Sequence, residues 1–116
     1  MFESDPVKVY LSEMSKVPPM TREQELECTR HIRARDEQTE IAEKDLLEAN
    51  LALVVSIVEK HPSDHIHILD LIIHGNNALM QAVRAFADSD ADSFPAFAAT
   101  FIERAIEHAV ITSRNC

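Results

Sequence analysis

Residues 68–86, ILDLIIHGNNALMQAVRAF, constrain the fold of this chain more than any other stretch, because their apolar groups recur at the spacing of a helix buried along one side. At about 100° per residue, Ile68, Ile72, Gly75, Leu79, Ala82, Val83 and Phe86 gather on one face, the stripe of a helix packed into a bundle. Asp70, Ile73, His74, Asn77, Gln81 and Arg84 gather on the other, with Met80 at its border. An outward surface that combines charge and amide with two adaptable apolar groups suits a partner helix.

The other segments carry the same signature. Asp5-Pro6 opens a first helix, with Asp as cap and Pro at the first helical position, and Val7, Tyr10, Leu11 and Met14 follow at helical spacing. Pro18-Pro19 ends it, and Thr21 to Gln24 reads as a capping box that starts a second helix running to about Arg35. The charged run 36–43 reads equally as continuing helix or short link. Leu46, Leu47, Leu51, Val54, Val55 and Val58 then form one strong helical stripe. His61 to His65 is a polar connector, after which the 68–86 helix begins near Ile66. Asp88 to Asp92 is an acidic loop, and Ser93 with Pro95 starts a last helix in which Phe94, Phe97, Ala98, Phe101, Ile102, Ala105, Ile106 and Ala109 repeat. The expected architecture is all-α, a compact bundle of about five helices.

With 116 residues, 46% of them hydrophobic, the chain fits a single domain, 1–116, whose core needs neither disulfide nor structural metal. A single glycine argues against a sheet protein full of tight turns. The formal charge of −9, from 20 acids and 11 bases, would repel nucleic acid unless the bases cluster, and no cluster is visible. Two cysteines, Cys28 and Cys116, point to a reduced cytoplasmic setting. The first eleven residues do not read as a signal peptide, and no window approaches the roughly 20 apolar residues of a membrane span.

Nothing in the pattern asks for an enzyme, a cofactor or a metal. His61, His65, His67 and His74 are close in sequence, but no cysteine flanks them and their spacing does not build a closed zinc site. Cys28 and His31 lie at i, i+3 on one helix face, a pairing that can lower a thiol's pKa, yet no third group orients them.

The wording of 68–86, with DLI, a Gly-Asn pair, LM, AV and a closing Phe, resembles region 2.2 of bacterial sigma-70-family transcription initiation factors. DPVKVYLSEMSKVPPMTREQELE (5–27) is similar to region 1.2, and LLEANLALVVSIVEK (46–60) to region 2.1, in the family's order and at about its spacing. The resemblance implies a region 1.2-like part over 5–35 and a region 2-like part over 46–114, ending before the parts that recognise the −35 element. On residues alone, 5–35 reads as a capped helical hairpin with solvated charges.

By resemblance, Leu69, Asp70, Ile73, His74, Asn76 and Met80 are the positions that contact the arginine-rich coiled coil of the RNA polymerase clamp. Ile73 stands where glutamine is usual and His74 where glutamate is usual, so the charged part of that contact is reduced. In the NLxLV motif, Ala52 replaces the usual arginine. In the last helix the family captures single-stranded −10 DNA with aromatic platforms and basic groups. The positions to carry over are Phe94, Phe97, Thr100, Phe101 and Arg104. Here Asp92 and Ser93 replace an aromatic-basic lead-in, Phe97 a tyrosine, Thr100 and Phe101 a tryptophan pair, and Glu103 an arginine. The repeat of Phe94, Phe97 and Phe101 is also that of a core stripe.

The function expected on this basis is a sigma-70-like initiation or regulatory protein. It binds core polymerase or a sigma-binding regulator, and its promoter DNA binding is weakened or lost. Two alternatives stay open: a working initiation factor that retains −10 DNA, and a helical module that self-associates through its Ile73 and Met80 face.

Overall fold

A computed structural model describes the backbone of residues 6–14, 16–61 and 65–114. The expected Asp5 cap, Cys116 and the side chains of Val7 and Leu11 lie outside what is described. Every regular element among the described residues is a helix: α1 (Pro6–Met14), α2 (Arg22–Ala34), α3 (Thr39–Ala49), α4 (Leu51–Glu59), α5 (Ile68–Phe86) and α6 (Phe94–Arg114).

Local chemistry explains most of the boundaries. Thr21 Oγ1 accepts the Gln24 N–H at 3.1 Å and Gln24 Oε1 accepts the Thr21 N–H at 2.9 Å, closing the capping box that starts α2. Arg35 ends that helix in the left-handed region at φ 53, where a non-glycine residue is mildly strained, and its N–H bonds back to the Ile32 carbonyl. The 36–43 run divides: the Asp36 carboxylate accepts the Gln38 N–H at 2.9 Å, making a short turn, and α3 begins at Thr39.

The expected continuous helix over 46–58 is interrupted. Asn50 departs from helical geometry (φ −113, ψ 8), and its side-chain amide donates to the Leu46 carbonyl at 2.8 Å. An asparagine side chain competes in this way with the backbone ladder, which separates α3 from α4 by one residue. Taken as one broken rod, α3 and α4 reduce the six segments to five.

The centre of the core is α5, which packs most extensively on α6 and also against α4, α3 and α2. Leu71, Ile72, Gly75, Ala78, Leu79, Ala82, Val83 and Phe86 are its buried residues. Leu71 and Ala78 were outside the expected stripe; helices on several sides widen the covered arc beyond the face that periodicity alone marks. Gly75 lies where α5 meets α4 and α6: a Cβ there would stand 2.5 Å from Val54 Cγ1 and 3.5 Å from Ile102 Cγ2. From α4, Val54, Val55, Ile57 and Val58 are buried, and from α6, Phe94, Ala98, Ile102 and Ile106.

Candidate protein-docking face and the phenylalanine helix

α5 begins at Ile68 because His67, in extended geometry, accepts the Leu69 N–H on its Nδ1 at 3.1 Å. Asp70 in the first turn adds favourable charge at the positive end of the helix dipole. Beyond it, Asp70, Ile73, His74, Asn77, Met80, Gln81 and Arg84 are all exposed. Ile73 is 56% and Met80 38% accessible, large values for apolar groups of this size.

This face continues onto α3. A groove of about 260 Å³ between α3 and α5 has Leu47, Met80 and Val83 as its apolar lining, with Glu40, Glu43, Lys44 and Arg84 around them. The six positions carried over for clamp contact therefore divide. Asp70, Ile73, His74 and Met80 stand on the open face. Leu69 is half-buried against the core. Asn76 is turned toward α1, its Nδ2 donating to the Tyr10 hydroxyl at 3.4 Å. Its Oδ1 is buried without a hydrogen-bond partner among the described residues.

Leu47, Glu40, Glu43 and Lys44 were missed by sequence reasoning as part of this surface. A stripe on α3 carries no sign of which neighbour leaves a gap beside it.

At the far end of α5 the phenylalanines form a chain. Phe86 meets Phe94 edge-on at 5.3 Å between centroids and Phe97 at 5.4 Å, and Phe97 meets Phe101 at 5.0 Å. Phe94 has no exposed surface, so as placed its ring is core and offers no platform to a base. Phe97 and Phe101 are half-buried against the core, whereas Thr100 and Arg104 are exposed. Glu103 and Glu107 are exposed on the same helix.

The basic residues of α2 have partners within the chain. Arg22 pairs with Glu25 at 3.0 Å and donates to the Asp92 carbonyl at 3.1 Å. Arg33 donates to the Ala91 carbonyl at 2.9 Å while its guanidinium lies 4.6 Å from the centre of the Phe86 ring. Arg30 is bound to Glu27, and Arg35 to Asp88 at 2.7 Å. Three of these arginines thus hold the loop between α5 and α6 onto α2.

The i, i+3 relation of Cys28 and His31 does not activate the thiol. The His31 ring is engaged elsewhere, with Nδ1 2.6 Å from Asp36 and Nε2 3.2 Å from Glu27. Burial, followed by the carboxylates of Asp45 and Glu27, pushes the Cys28 thiol up, the reverse of activation. Hydrogen bonding to His31 lowers the Asp36 carboxyl, and hydrogen bonding to Arg30 lowers that of Glu27.

Three of the histidines near α5 line one cleft. His65, His67 and His74 share a cleft of about 500 Å³ with Asp70 and with His108 of α6. Among the described residues, however, no three of His, Cys, Asp and Glu are grouped to hold a metal ion. No described helix is long and apolar enough to cross a membrane.

Residues 5–38 match the family described as sigma-70 factor, region 1.2. Over 106 residues, 91% of its length, the chain is 38% identical to RNA polymerase sigma factor SigA of Lactococcus lactis subsp. cremoris, of which it covers 29%. It is 37% identical over 107 residues to SigA of a Bacillus species, covering 92% of this chain and 28% of that protein. The SigA of Clostridium acetobutylicum is 39% identical over 106 residues, 91% of this chain and 27% of its own. The chain spans less than a third of the length of these curated relatives.

Proposed function

The chain belongs to the sigma-70 family, and from that premise we propose that it acts in transcription by docking RNA polymerase core through the outward face of α5. The observation that carries this reading is the joint exposure of Asp70, Ile73, His74 and Met80 along one side of α5, beside the groove against α3. Apolar groups left open there supply the adaptable part of a helix-in-groove contact. The carboxylates of Asp70, Glu40 and Glu43 supply charge toward the arginine-rich clamp coiled coil that the resemblance implies.

Independent capture of −10 DNA is not part of the proposed role. Phe94 is enclosed, Glu103 and Glu107 are exposed along α6, and the α2 arginines are engaged by the protein itself. A chain that cannot release counterions from several phosphates loses orders of magnitude in affinity. The proposed mechanism is competition: the chain occupies the clamp, or a regulator that recognises the same face, without engaging promoter DNA.

Binding of the purified chain to core RNA polymerase tests this. Replacing Asp70 and Met80 together by alanine is expected to weaken binding by about tenfold or more, and absence of binding by the unaltered chain overturns the reading. A second reading, self-association, is favoured by the 56% exposure of Ile73. Light scattering that finds a dimer, dispersed by Ile73→Asp, would select it.

A further inference from the structure

Where the first turns of α5 pass the last turns of α6, four imidazoles line one cleft. His65 and His67 ahead of α5, Asp70 and His74 on it, and His108 on α6 are the ionisable groups lining this cleft; no lysine, arginine or glutamate does so among the described residues. Its lining therefore carries a formal charge of −1 with the imidazoles neutral and +3 with all four protonated. In sequence, Arg104 and Glu107 precede His108 on α6, and α4 ends at Glu59, followed by Lys60.

His67 gives the cluster mechanical leverage. Its Nδ1 accepts the Leu69 N–H and so caps α5. Only a neutral ring has a lone pair to do this; a protonated one loses the bond and sets positive charge against the positive end of the helix. His65, ahead of that cap, lies with Nε2 3.2 Å from the Val110 carbonyl and so links the segment before α5 to α6. Asp70, Ile73 and His74 belong both to the cleft wall and to the docking face.

We propose that this histidine cluster makes the docking face acid-sensitive: protonation loosens the start of α5, turns the rim of the face positive, and releases a basic partner as pH falls from about 7.5 to about 5.5. The proposal rests on the docking reading above. By linkage, a cationic partner bound there must in turn disfavour protonation of the cluster.

The test is equilibrium binding of the whole chain to core RNA polymerase at both pH values and constant ionic strength, alongside His67→Asn/His108→Gln. Asparagine keeps a cap that does not titrate, and neither position is among the docking residues. Acidification is expected to raise the wild-type Kd about tenfold. The double variant should match wild type at the higher pH and lose at least about half of the logarithmic change.

Equal weakening of both proteins overturns the proposal, because titration of the partner would then account for it; so does an unchanged wild-type Kd. No binding at the higher pH overturns the docking reading instead. The acid-sensitive cap is then decided on the free chain. There the hydrogen-exchange protection factor of the Leu69 amide should fall by about threefold or more on acidification in wild type and hold in the variant. Unchanged wild-type protection overturns it.

Discussion

Glu25, in the first turn of α2, accepts the backbone N–H of Phe94, the first residue of α6, at 2.9 Å across 69 positions of sequence. α6 thus receives part of its N-terminal cap from another helix. The Glu25 side chain is only 12% exposed, and Arg22 holds it from the outside. Because Phe94 packs edge-on against Phe86, the cap fixes where the phenylalanine chain begins. Glu25→Ala is expected to cost about 1–2 kcal/mol, the range of a lost N-cap, and urea titration followed by circular dichroism measures it. Glu25→Gln, which can still accept the bond, should recover part of the loss.

Gly75 is a packing requirement of the α4–α5–α6 contact. Alanine there would gain up to about 1 kcal/mol of helix propensity, but its Cβ would fall 2.5 Å from Val54 Cγ1, on a stiff β-branched side chain with no exposure. The expected net effect of Gly75→Ala is destabilisation by about 1–3 kcal/mol. In Gly75→Ala/Val54→Ala the two changes should cost less than their sum, and a double-mutant cycle by chemical denaturation measures that coupling.

Cys28 should be slow to alkylate in the folded chain. Burial and two carboxylates hold its thiol above the ordinary range, so at pH 8 its thiolate fraction is below that of an unfolded cysteine. Mass spectrometry of iodoacetamide-treated protein should show Cys28 modified at least about tenfold more slowly in buffer than in denaturant. The raised pKa also implies that its contribution to stability is lost as pH rises past the ordinary thiol value near 8.5.

The link between α2 and α3 predicts an acid limb in stability. Asp36 and Glu27 both have lowered carboxyl pKa values, held down chiefly by hydrogen bonds from His31 and Arg30 respectively. The folded state therefore binds fewer protons than the unfolded chain. Their stabilisation is fully present above the ordinary carboxylate value near 4 and disappears as pH falls through the lowered ones. Thermal melts of wild type and Asp36→Asn should differ at neutral pH and converge below about pH 4.

Much of α5 was legible from its residues, because burial along a helix repeats with the backbone's own period. The outward set of Asp70, Ile73, His74, Asn77, Gln81 and Arg84 is exposed, as the spacing implied. The capping box of α2 was equally legible, since Thr21 and Gln24 need only each other. By contrast, nothing local marks Asn50 as a break, because its side chain could have faced solvent and left the ladder intact. Asn76 on the outward side and Asn76 against Tyr10 are the same letters; α1 decides between them.

By itself, then, the sequence determined an all-helical chain, the period of each buried stripe, the ends set by neighbouring caps, and kinship with the sigma-70 family. Those properties follow from interactions within a few residues, or from similarity that does not require the fold to be solved. Only the tertiary structure decided that Phe94 is enclosed, that α2's arginines hold the α5–α6 loop, and that four histidines share one cleft. Each depends on how helices far apart in sequence lie against one another, and that is set by the packing of the core as a whole.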